Sequence, residues 1–171
     1  LNVAAGSVDE NDDEQGLAHF VEHMAFNGSE HFDKNELVHT LQRLGVKFGA
    51  DLNAQTGFEN TTYNIQAQVS DETLKDVFLV LRDYAGGVKF DENETQKEKG
   101  VILEEAKKGF ERRFYEKRAT YLYPNSIFSR RFPIGQNEII KGATGEQLKK
   151  FYARNYLPSA ISIIVVGDVN V

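Results

Sequence analysis

Two histidines and a glutamate fall together in the string His19-Phe20-Val21-Glu22-His23. On an α-helix His19 and His23 stand one turn apart, about 40° from each other around the axis, and Glu22 lies about 60° the other way from His19. Two imidazoles and a carboxylate thus share one side of a helix. Neutral imidazole nitrogens are ordinary zinc ligands, and a carboxylate beside them is a base for water at the same centre. The commoner zincin order, H-E-x-x-H, has the glutamate after the first histidine; here it precedes the second, the inverted order H-x-x-E-H. A chain of this length and composition yields such a match by chance about 0.01 times. The bland alternative, a surface helix on which three polar residues happen to align, is the weaker reading.

A catalytic zinc takes three protein ligands and keeps a fourth position open. The sequence has no cysteine, so the third ligand is His, Asp or Glu. The stretch from Glu98 to Arg113 is the best source, following Asp91 and Glu94, an N-cap and N3 pair that starts a helix. On that helix Glu98 and Glu105 lie within about 20° of one another, sharing a face with Val101 and Ile102. That face is expected to turn inward, where a carboxylate needs a cation. Glu104 points about 100° away from Glu105, and with Glu111 and Glu116 suits a solvated side. Helix-face geometry leaves Glu98 and Glu105 both open as the third ligand, and between the neighbours Glu105 and Glu104 it favours Glu105.

The run Gly16 to Phe32, GLAHFVEHMAFNGSEHF, resembles the zinc-site helix of the inverzincin peptidases, the family of pitrilysin, insulin-degrading enzyme and mitochondrial processing peptidase. The segment Asn53 to Tyr63, NAQTGFENTTY, is similar to that family's N-A-x-T-x-x-E-x-T-x-Y strand pair, and Glu98-KGVILE-Glu105 to its downstream acidic motif. The resemblance implies one Zn²⁺ held by His19, His23 and Glu105, with Glu98 as a supporting carboxylate and Glu22 as general base. It implies peptide substrates, short or unfolded, lying along an edge at Asn53 and Ala54. It also implies that residues 1–171 are the N-terminal zinc-binding peptidase domain of a longer chain. A homologous second half would follow Val171 and close a chamber. The 171 residues alone are then expected to bind zinc and to cleave weakly or not at all. Composition leaves the compartment open, and the likeness to bacterial envelope members favours the periplasm. A non-catalytic member using the fold for binding or assembly is the alternative; such members lose part of the motif, which here is complete. A purely structural zinc site leaves Glu22 unexplained, since structural sites are closed by four ligands.

The elements that must position these residues follow from periodicity. A short strand (Asn2 to Gly6) leads through an acidic loop into the metal helix, from near Gln15 to the Asn27-Gly28 turn. Asp33 and Glu36 open a helix with the stripe Leu37, Leu41, Leu44 and a stop at Gly45. Residues 46–55 and 59–69 read as a hairpin, the second strand alternating Tyr63, Ile65, Ala67 and Val69 with polar residues. A helix after Ser70 carries Leu74, Val77, Phe78, Leu81 and Tyr84, with its aromatics expected in the core, and closes at Gly86-Gly87. Tyr121 to Gly142 reads as irregular, its RRFPIG run equally a substrate-lining loop or packing. Thr144 and Gln147 open a last helix ending at Asn155, before a strand from Ala160 to Gly167. His31 and His39 have no partner at ligand spacing and read as ordinary surface or half-buried residues. The sum is an α+β domain, a mixed and largely antiparallel sheet with helices packed on one face.

The net charge of −6 argues against nucleic acid and anionic membranes as partners. Arg112, Arg113, Lys117, Arg118, Arg130 and Arg131 are the only basic cluster and read as surface residues. No stretch has the length and apolarity to insert in a membrane. The chain opens on LNVAAGS, which reads as mid-strand, so it is expected to be a piece of something longer.

Overall fold

Seven of the eight residues of the first helix, α1 (Leu17–Met24), are buried, so it runs through the interior with no solvated face. The computed structural model that contains it describes residues 1–47, 49–108 and 110–168, with the backbone alone for 110–113. Glu111, Arg112 and Arg113, expected at the surface, therefore lie outside the described side chains. α1 packs against the strands β2 (Leu52–Thr56) and β3 (Thr61–Ile65), and against helices α4 (Glu92–Lys108) and α7 (Gly145–Asn155). With β1 (Asn2–Val3) and β4 (Ile161–Ser162), the strands form one sheet in the order β2-β3-β1-β4, every pairing antiparallel among the described residues. The α+β expectation holds. Val3, Phe20, Val21, Met24, Tyr63, Tyr84 and Phe151 meet in the core between sheet and helices.

The strands are shorter than their apolar patterns. The hairpin register runs from Leu52 opposite Ile65 to Thr56 opposite Thr61. Ala67 and Val69 continue the alternation but are exposed, because β2 starts at Leu52 and offers them no partner. In β4 only Ile161 and Ser162 pair, with Val3 and Asn2 of β1, and Ile163 to Val166 are exposed.

Capping chemistry set the helix starts. Asp33 accepts from the Asn35 and Glu36 amides at the head of α2 (Lys34–Arg43), Ser70 from Thr73 at α3 (Asp71–Gly86), and Thr144 from Gln147 at α7. Asp91 Oδ1 accepts from Glu94 N at the start of α4, which is followed by α5 (Phe110–Leu122). Two apolar expectations fail. In α3, Val80, Leu81 and Tyr84 are buried, but Phe78 sits at the edge of that stripe, 40 % exposed. In α4, Ile102 is buried while Val101, one residue round the helix, is exposed. The segment expected to be irregular contains α6 (Asn137–Gly142).

Candidate metal centre

The ring positions of His19 and His23 begin with how α1 is anchored. Its N-cap, Gly16, has φ +104°, a left-handed conformation that only glycine adopts without strain. The buried carboxylate of Glu10 then takes up two amides of the first turn: Oε1 accepts from Gly16 N at 3.0 Å and Ala18 N at 2.9 Å. Burial pushes the Glu10 carboxyl up to about 8 despite these bonds. Gly135 packs on Gly16 so closely that a Cβ there would run into the Gly16 backbone, and this lays the 131–136 loop against the head of the helix.

One helix turn apart, the two imidazoles point their Nε2 atoms at each other across 3.1 Å. Glu105 of α4 brings Oε2 to 3.6 Å from His19 Nε2 and 3.5 Å from His23 Nε2. Three lone pairs this close need something between them, either the N–H hydrogen of an imidazole or a metal ion. Tetrahedral zinc with ligands at the usual lengths has donor–donor edges of about 3.3 Å. The three separations straddle that value, so the donor set fits a zinc ion. Glu104, the alternative third ligand, instead pairs with Lys107 on the exposed side of α4.

His23 is held from behind as well. Its Nδ1–H donates to Glu98 Oε1 at 2.8 Å, and Glu98 Oε2 accepts from Asn27 Nδ2 at 2.8 Å. Burial lowers the pKa of the His23 ring, but its bonds to Glu105 and Glu98 act the other way and carry it up to about 9 in the metal-free protein. Burial likewise raises Glu98, yet the bonds from His23 and Asn27 leave it below the usual carboxylate range.

Glu22 is buried beside this cluster, and Thr56 Oγ donates to its Oε2 at 2.7 Å. Burial pushes the Glu22 carboxyl up, against the lowering effect of the Thr56 hydroxyl. A cavity of about 420 Å³ opens onto His19, Glu22, His23 and Glu105, walled by Ala54, Gln55 and Thr56 of β2 and by Pro133 and Ile134. The RRFPIG run thus lines the site. Across Pro133 lies a second cavity of about 350 Å³ with Phe58, Tyr115, Leu122 and Phe132 in its walls. Asn53 and Ala54 border a further cavity that reaches Glu22, His23 and Glu98. β2 is an edge strand. Gln66 N donates to Asp51 O and Gly57 N to Asn60 O, so by antiparallel alternation the backbone groups of Ala54 and Thr56 face away from β3. The Ala54 amide meanwhile donates to Asn53 Oδ1 at 2.9 Å.

Thr56 and Asn27 were not singled out as site residues from sequence. Thr56 lies inside the NAQT motif and Asn27 inside the Gly16–Phe32 run, and both were usable signals. His39 is exposed, as expected. His31 is exposed too, but its Nδ1 lies 2.8 Å from the buried carboxylate of Asp83, with Glu30 close by. The cation in that cluster is already supplied by Arg82, whose Nη1 lies 2.6 Å from Glu30 Oε2 and 3.0 Å from Asp83 Oδ1.

Residues 1–123 match the family model of the insulinases, peptidase family M16. The chain belongs to this family. It is 36% identical over 173 aligned residues to "Probable zinc protease PqqL" of Haemophilus influenzae, covering 99% of this chain and 19% of that one. It is 34% identical to the chloroplastic stromal processing peptidase of Pisum sativum, covering 99% of this chain and 13% of the relative. The crystal structure of the periplasmic protease PqqL from Escherichia coli superposes with a TM-score of 0.94 at 34% identity, over 99% of this chain and 19% of that one. This M16 chain therefore spans 19% and 13% of the length of these two curated relatives. No helix among the described residues is long and apolar enough to cross a membrane.

Proposed function

We propose that these residues form the zinc-holding domain of an M16 metalloendopeptidase, with His19, His23 and Glu105 as ligands of one Zn²⁺. The observation that carries this is the convergence of His19 Nε2, His23 Nε2 and Glu105 Oε2 within 3.1–3.6 Å, with Glu22 opening onto the same cavity. A bound zinc supplies a Lewis acid that acidifies water and polarises a peptide carbonyl. Glu22 is the general base. Its Oε2 is engaged by the Thr56 hydroxyl, so Oε1 takes the proton from the attacking water and returns it to the leaving amine. Glu98 keeps the His23 proton on Nδ1, which leaves Nε2 as the lone-pair donor.

The substrate is an extended peptide that adds to the open edge of β2 beside the cavity. Main-chain bonds to Ala54 and Thr56 supply affinity that tolerates many sequences. Asn53 Oδ1 holds the Ala54 amide until a substrate carbonyl replaces it. Short or unfolded polypeptides meet this requirement. A homologous C-terminal half of a longer chain supplies the opposite wall, supported by the length of the M16 relatives. An envelope location is supported by the periplasmic E. coli relative. The deciding test is zinc content and hydrolysis of an unfolded peptide by the full-length protein, with and without a chelator. Bound zinc and chelator-sensitive cleavage are expected; zinc without cleavage leaves only a binding role.

A further inference from the structure

We infer that Asn27 is a positioning residue of the metal centre, the clamp that fixes Glu98 behind His23; this rests on the zinc reading above. The ligands come from two separate elements, the imidazoles from α1 and Glu105 from α4. Their separation is therefore set by whatever ties those helices together next to the site. Asn27 lies just past the end of α1, and is buried. Its single amide nitrogen donates to two acceptors, the His23 carbonyl at 3.2 Å and Glu98 Oε2 at 2.8 Å. One acceptor belongs to the ligand-bearing helix and the other to α4.

The chemistry needs an NH₂ group at this position. Aspartate has no hydrogen to give and would set a second negative charge against Glu98. Serine offers one hydrogen where two are used, and an apolar side chain offers none. A carboxylate held through one oxygen turns about its Cγ–Cδ bond. Held through both, Oε1 to His23 Nδ1 and Oε2 to Asn27, it has a fixed plane. The fixed plane in turn fixes the tilt of the His23 ring and aims Nε2 at the point it shares with His19 and Glu105. The same amide ties the end of α1 to the helix that carries the third ligand. The clamp thus acts on ligand direction and on helix spacing together, without touching the metal.

The test is a double-mutant cycle on zinc affinity in the full-length protein, read by competition with a fluorescent chelator. Asn27→Leu keeps the heavy-atom count and branching of the side chain and removes the donor. A rise in zinc Kd of about tenfold or more is expected, the range found when an outer partner of a metal ligand is lost. In a Glu98→Ala background the same substitution is expected to change Kd less than twofold, because the group it holds is gone. Thermal melting of the metal-free variants reports folding separately. Should Asn27→Leu fail to fold, Asn27→Ala is read through the same cycle. A Kd unchanged by the Asn27 substitution, or weakened equally with and without Glu98, overturns the clamp. A wild-type protein that takes up no zinc overturns the metal reading itself, a result distinguishable from the first.

Discussion

The His23 ring is gripped by two carboxylates of one helix: Nδ1 lies 2.8 Å from Glu98 Oε1 and Nε2 lies 3.5 Å from Glu105 Oε2. Seven residues apart, these two acids project from almost the same line along α4. One therefore meets the ring from behind while the other meets it at the cluster with His19.

Glu22→Gln keeps the volume and the Thr56 contact but removes the basic oxygen. Peptide hydrolysis by the full-length protein is expected to fall by at least ~100-fold with zinc still bound at one ion per chain. Full activity in the glutamine variant would remove Glu22 from the mechanism.

The two neighbouring acids of α4 separate cleanly. Glu105→Gln loses an anionic donor and is expected to weaken zinc binding by more than about 100-fold, whereas Glu104→Gln breaks only an exposed pair with Lys107 and leaves it unchanged. Equilibrium dialysis of both variants decides between them, and equal losses would reopen the assignment.

Zinc uptake is expected to be proton-coupled. With its pKa near 9 in the metal-free protein, His23 is protonated at neutral pH and must lose that proton to donate a lone pair. About one proton per zinc is released at pH 7, and apparent affinity climbs roughly tenfold per pH unit up to about 9. Titration calorimetry in buffers of differing ionisation enthalpy measures this. Uptake without proton release contradicts it.

Glu10 imposes an opposite trend on stability. Folded, it keeps its proton up to a pH of about 8; unfolded, it loses the proton near the usual 4.5. Between those values the folded state binds more protons, so stability falls as pH rises, by about 3–5 kcal/mol across the window as an order of magnitude. Glu10→Gln keeps an oxygen for the Gly16 and Ala18 amides and carries no charge, so it is expected to flatten this slope. Urea unfolding at pH 5 and pH 8, with chelator present, compares the two proteins.

The β2 edge can be probed with one proline. Ala54→Pro removes an amide that faces away from β3, a position where an edge strand tolerates proline. Fold and zinc content are expected to survive, and KM for an unfolded peptide to rise about fivefold, the worth of one backbone hydrogen bond. An unchanged KM moves the substrate elsewhere.

What the residues determined alone was local. His19, Glu22 and His23 are one helical turn apart, so their shared side follows from helix geometry wherever that helix lies. The caps at Asp33, Ser70, Asp91 and Thr144 also needed only their neighbours three residues on. Tertiary packing decided the rest. It turned Glu105 rather than Glu104 to the histidines, and brought Thr56 from a strand to Glu22. It ran Pro133 and Ile134 past the site through the Gly16–Gly135 contact, and gave Asn27 its hold on Glu98. It also left Val69, Phe78 and Val101 in solvent despite their apolar pattern. Periodicity tells which residues share a face, but which neighbour covers that face depends on chain segments tens of residues away.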